Sequence, residues 1–202
     1  GHTPKRIFDT VWAAPDKKYG LADINLATAK LGSATVNVIS ATCTAGYFTL
    51  HFDQASSFFH NNSSAQSVVC QVFSDLSALI NSSLPPGSIN IYCGDELQSL
   101  ATGLPFYSLP WNPVNYDQGI VETQIQKALI SGTNPYQNIA MSFLGANQYY
   151  YGELRVHPTS TLQNVAWNYS LNTVANPSGE YDLYTFVLHE ALHLIEFNSL
   201  LK

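Results

Sequence analysis

Residues 181–202 read YDLYTFVLHEALHLIEFNSLLK. The run holds neither glycine nor proline and carries six leucines, so it predicts one continuous helix over 182–198. Asp182, Phe186, His189, His193 and Glu196 fall on one stripe of that helix. The flanks Phe186, Val187, Leu188, Ala191, Leu192, Leu194 and Ile195 are apolar nearly all round, so its middle should be buried. A buried helix should carry ionisable groups only where they are paired or hold a metal. The bland alternative is a pair of core histidines hydrogen-bonded to neighbours. Asp182 also has a plain role, as an acidic residue where the helix dipole favours it.

His189-Glu190-Ala191-Leu192-His193 is the pattern H-E-x-x-H. Residues i and i+4 lie one turn apart on one face, about 5–6 Å between Cβ atoms. Two imidazoles so placed can hold one Zn²⁺ through nitrogen at about 2.0–2.1 Å. The glutamate after the first histidine can then serve as general base towards a metal-bound water. Chance alone gives this pattern in about one such chain in 200, a modest false-positive rate for a short motif.

Outward from this helix, nothing repeats and no low-complexity linker divides the chain, so residues 1–202 read as a single domain. Residues 1–31 read as an irregular entry segment. SATVNVISA (33–41), GYFTLHFD (46–53), INIYCG (89–94), NIAMSFLG (138–145), YYYGELRVHP (149–158) and VAWNYSLN (165–172) have the β-branched and aromatic content of strands. Residues 66–80, with Val69, Val72, Phe73, Leu76 and Ile80 on one stripe, predict a helix. GIVETQIQKALISG (119–132) predicts another, closed by Gly132. Strands mixed with helices imply α+β, a twisted mixed sheet backed by helices on one face.

Composition limits the partners. The chain has 46% apolar residues but no stretch long enough to span a bilayer, so membrane insertion is not expected. With 8 Lys+Arg against 14 Asp+Glu and a net charge of -6, nucleic-acid binding is not expected either. Only 11% of residues are charged, and a surface carried by Asn, Ser, Thr, Gln and Tyr is more typical of exported than of cytosolic proteins, so an extracellular location is expected. Cys43, Cys70 and Cys93 do not form a metal-binding pattern. One disulfide with a buried thiol left over, or three buried thiols, would fit. Cys70 reads as core packing, and Cys43 with Cys93 is the favoured pair.

YDLYTFVLHEALHLIEFNS resembles the active-site helix of zincin metallopeptidases, closest to secreted bacterial metzincin-like domains with H-E-x-x-H-x-x-G-F-x-S. Weaker likeness in TAGYFTLHFD (44–53) and VVCQVFSDLSALI (68–80) extends it over most of 40–199, although only H-E-x-x-H is specific. The resemblance implies a zincin N-terminal subdomain with a C-terminal active-site helix. It also implies Zn²⁺ held by His189 and His193, Glu190 as general base, and a polypeptide substrate. It makes YGELRVH (151–157) the candidate edge strand for an extended peptide. Two positions depart from the family. Glu196 stands where metzincins have glycine, and Ser199 where they have a third histidine. Glu196 is on the right face but lies about 10 Å along the axis from His189, and i, i+4 and i+7 converge poorly on one ion. His51, His60, His157, Asp53 and Glu153 are further candidates with plainer roles. His51 reads as a surface residue or one supporting a ligand, and His157 as exposed. The expectation is therefore the front part of a metallopeptidase, weak or inactive alone, whose third ligand lies beyond Lys202. A secreted binding or adhesion module with zincin architecture and no turnover is the alternative.

Overall fold

A computed structural model describes residues 39–97, 99–105, 123–133, 150–158, 166–171 and 179–195. The entry segment 1–31, the first part of the strand predicted from 33 and the strand predicted at 138–145 lie outside these residues.

The fold is α+β. Strands β1 (Ile39–Ala45), β2 (Phe48–Asp53), β3 (Ile89–Asp95), β4 (Ala101–Pro105) and β5 (Gly152–Val156) form one sheet in the order β1-β2-β3-β5-β4. β1 and β2 are antiparallel, joined by a tight turn at Gly46, whose φ of 58° is left-handed. β2, β3 and β5 run parallel, and β4 runs antiparallel to β5 at the margin. The connection from β2 to β3 carries helix α1 (Ser63–Leu79), as a parallel pair requires. Asn62 caps α1 by accepting from the Ala65 N–H. Helix α2 (Gln124–Ser131) starts at Thr123, whose hydroxyl accepts from Gln126, and ends at the left-handed Gly132. A short parallel pair, β6 (Ala166–Asn168) and β7 (Glu180–Asp182), leads into helix α3 (Leu183–Ile195). Contrary to expectation, Asp182 is not in the first turn but ends β7 just before the helix, and it accepts from the Thr185 N–H.

Alternation along the strands makes the sheet two-faced. Phe48, Leu50 and Phe52, then Ile89, Ile91 and Cys93, then Leu154 and Val156, are buried in one core with α1 and α3. α1 covers β1 and β2, α3 covers β4 and β5, and the two helices touch. The alternate positions carry His51, Asp53, Asn90, Tyr92, Glu153 and Arg155. Burial along α3 is one-sided: Leu183, Val187, Ala191 and Leu194 are buried, whereas His189 is exposed. The helix is thus not buried all round.

Two sequence expectations are corrected here. The disulfide joins Cys43 of β1 to Cys70 of α1, and Cys93 is the buried free thiol. Cys43 pairs with Leu50, and Cys93 with Phe52 on the far side of β2. Two strand spacings of about 4.8 Å put their Cα atoms past the ~7 Å reach of a disulfide. Cys70 lies directly over β1, 6.4 Å from Cys43 between Cα atoms. The second correction concerns YGELRVH. β5 is central, with β3 on one side and β4 on the other, so it has no edge to offer a peptide. Among the described residues no helix is long and apolar enough to cross a membrane.

Candidate metal centre

α3 places His189 and His193 one turn apart, and their Nε2 atoms lie 3.0 Å from each other. The rings meet edge to face with centroids 4.6 Å apart. Two nitrogens each about 2.0–2.1 Å from one tetrahedral ion sit roughly 3.3 Å apart, so this pair needs only a small adjustment to share one. The same distance suits an N–H···N hydrogen bond between neutral imidazoles. Among the described residues no third His, Cys, Asp or Glu joins them in a ligand group. Glu196 and Ser199 lie outside those residues.

Glu190 points at the margin of the sheet. Its Oε2 accepts from the backbone N–H of Gly103 in β4 at 2.8 Å. Contact here is backbone to backbone, since a Cβ on Gly103 would lie 2.1 Å from the Glu190 carbonyl oxygen. Only glycine permits this approach. The direction of the Gly103 N–H follows from the ladder. His157 N–H donates to Leu100 O, which makes that facing pair a hydrogen-bonded one. Such pairs alternate in an antiparallel ladder, so Thr102 and Leu104 bond to β5 while Ala101, Gly103 and Pro105 turn their polar groups outward.

Burial pushes the Glu190 carboxyl above its ordinary pKa, and the negative Glu96 adds to this. The Gly103 N–H and His189 pull the other way. Glu96 follows β3 and accepts from the Thr102 hydroxyl at 2.7 Å, tying the β3–β4 connection beside the site. Asp95 anchors the same corner, accepting from Ser56 Oγ at 2.5 Å, Ser57 Oγ at 2.6 Å and the N–H groups of Ser57 and Phe58. Burial raises its pKa, but those hydrogen bonds outweigh burial and hold it below the usual value.

The other candidates lie elsewhere. His51 is buried on the polar face of the sheet, its Nε2 2.8 Å from Asn90 Oδ1. Burial lowers its pKa, partly offset by that hydrogen bond. Asp53 is buried and accepts from the Tyr92 hydroxyl, while Glu153 pairs with Arg155 at 2.8 Å. His60 is exposed. His157, expected to be exposed, is only 6% so, because its backbone joins Leu100 on one side and Trp167 on the other.

Gly103 and Glu96 were missed by sequence reasoning. ATGLP lacks the alternation and β-branched content that mark a strand, and its Gly-Pro spacing reads as a turn. Compared with protein-family models, curated proteins and solved structures, the chain matches none.

Proposed function

We propose that this chain is a zinc-dependent peptidase domain, or the front part of one. His189 and His193 would contribute two of the ligands, and Glu190 would be the general base. The observation that carries this reading is the 3.0 Å approach of two imidazole nitrogens, with a half-buried carboxylate one residue on, beside the marginal strand of the sheet. A zinc ion in such a place supplies an acidified water and polarises a carbonyl. Glu190 accepts a proton at its carboxylate, and its raised pKa moves it towards the range where a general base works near neutrality. The substrate would be an extended polypeptide held at the β4 margin of the sheet rather than at β5, which lies inside it. A binding module on this scaffold, without turnover, is the second reading. It draws on Glu196 and Ser199, which stand where the resembled family has glycine and a third histidine.

Calorimetric titration with Zn²⁺ separates these. One zinc should bind per chain, weakly if only two protein ligands are supplied. His193→Ala should lower affinity by more than the ~10–100-fold that an outer hydrogen-bond partner is worth. Binding should also weaken in acid, since imidazole must be deprotonated to ligate. With zinc bound, Glu190→Gln should keep the metal and abolish hydrolysis of an unfolded polypeptide. Tight binding that survives His193→Ala would place the metal elsewhere, and zinc binding without any hydrolysis by the wild type would favour the binding module.

A further inference from the structure

We infer that the groove between the outer edge of β1 and helix α1 is a second binding site, which takes an extended polypeptide segment with uncharged polar side chains as an added strand. It lies at the far edge of the sheet from β4 and the histidine pair, so it stands whatever that pair does. Ile89 N–H donates to Tyr47 O. In a parallel ladder this turns the main-chain groups of Thr49 and His51 towards β3, and those of Phe48, Leu50 and Phe52 towards β1. Their partners Ala45, Cys43 and Ala41 therefore bond inward, and Thr42 and Thr44 turn their N–H and C=O groups away from the sheet. Both threonines are exposed, and among the described residues no strand pairs with that side. A cleft of roughly 450 Å³ runs along this edge. Thr42, Cys43, Thr44 and Ala45 all line it, and successive side chains alternate between faces, so the edge of the strand forms this wall. The other wall is the α1 stripe Ser63, Gln66, Ser67, Gln71 and Ser74, exposed except for the half-buried Gln66. The Cys43–Cys70 disulfide bridges the two walls and fixes their separation, so the groove is formed before anything enters it.

The lining selects the occupant. Outward main-chain donors and acceptors are matched by another backbone. Edge strands that stay single are commonly blunted by charge or proline. ISATCTA (39–45) has neither, and its register shift lies between Ile39 and Ala41, before Thr42. Among the described residues no charged side chain lines the cleft, so Ser, Thr, Asn or Gln on the α1 side of an added strand would meet hydroxyls and amides. A sugar would lack a ring to stack on, because the one aromatic lining residue, Phe52, is 1% exposed. A second copy pairing β1 to β1 would set two hydroxyl and amide stripes face to face, where the core of a homodimer interface is apolar.

The test follows backbone amide signals by NMR in the whole chain, with a chelator present so that no peptide is cut, and uses the peptide acetyl-TQTSTQT-amide. The peptide should shift the Thr42 and Thr44 amide signals and slow their exchange with solvent. The same peptide N-methylated at every residue, which cannot donate to the edge, should leave them in place. Thr42→Pro removes an outward N–H without touching the ladder to β2, and should weaken binding about fivefold, as for one main-chain hydrogen bond. Ser67→Tyr, at an exposed helix position, fills the groove and should abolish binding, which keeps the test decisive if the proline variant unfolds. Thr42 and Thr44 signals that stay in place at millimolar peptide overturn the site, as does binding that Ser67→Tyr leaves unchanged. Maltohexaose moving those signals where the peptide does not would make it a sugar site. A dimer of the free protein that Ser67→Tyr or Thr42→Pro dissolves would give the edge to a second copy. Either result overturns the proposal.

Discussion

At the scale of single residues, Gly103 decides how closely sheet and helix approach. The helix turn that holds His189, Glu190 and His193 rests on the β4 backbone, with no side chain between them at Gly103. Gly103→Ala puts a methyl 2.1 Å from the Glu190 carbonyl oxygen, a contact that no rotamer can relieve. Overpacking costs about 1–3 kcal/mol in a core, and a clash with backbone should sit at or above the top of that range. Urea unfolding of Gly103→Ala should show that loss. A variant within about 0.5 kcal/mol of wild type, the range of ordinary surface substitutions, would mean that strand and helix are not locked together here. Gly152 does similar service in β5, where a Cβ would meet Leu194 Cδ2 at 2.7 Å. Both glycines can be read in the sequence as residues, but not as contacts. What they avoid belongs to a helix far along the chain.

At the scale of elements, patterning revealed what packing enforces. α1 and α3 carry apolar stripes at helical spacing, and β2 and β3 alternate, so they were legible, as was the pairing of His189 with His193 on one face. β4 was not, because ATGLP holds no β-branched or aromatic alternation and leaves no periodic signal. The place of β5 was also beyond local reading, since GELRV is equally strand-like at an edge or in the middle. Cysteine pairing failed for a related reason: it depends on which helix lies over which strand. That pairing has a measurable consequence. Cys43–Cys70 ties the outermost strand β1 to α1 across a separation of 27 residues. Closing a loop of that length stabilises by about 3.6 kcal/mol in the chain-entropy description. Replacing both cysteines by serine should lower the unfolding free energy by roughly 2–4 kcal/mol, and exchange in β1 should quicken before exchange in β3. Equal stability with and without the bridge would show that helix packing alone holds β1.

At the scale of the whole molecule, the sheet divides two kinds of chemistry. One face is an apolar core under the helices. The other buries His51, Asp53 and Glu153, with Arg155 lying 5.4 Å from the Tyr92 ring centroid and paired to Glu153. Such a face must respond to acid. His51 is packed against Asn90 and the edge of Tyr150, with Thr42 and Tyr92 opposite it on the neighbouring strands. Its folded pKa is lowered by burial, so the unfolded chain takes the proton first as pH falls. The contribution is whole above about 6.5 and is lost as pH drops through the folded value, with a slope of at most ~1.4 kcal/mol per pH unit for one proton. Asp95, also lowered, acts in the same direction, but its loss begins only near 3.8. The two windows are therefore separate. Urea midpoints measured from pH 7.5 to 5.0 should fall for wild type, and His51→Gln should be less stable at pH 7.5 yet show a shallower slope over that interval. A parallel slope in the variant would move the acid sensitivity to other groups and leave His51 as a neutral, well-packed member of the polar face.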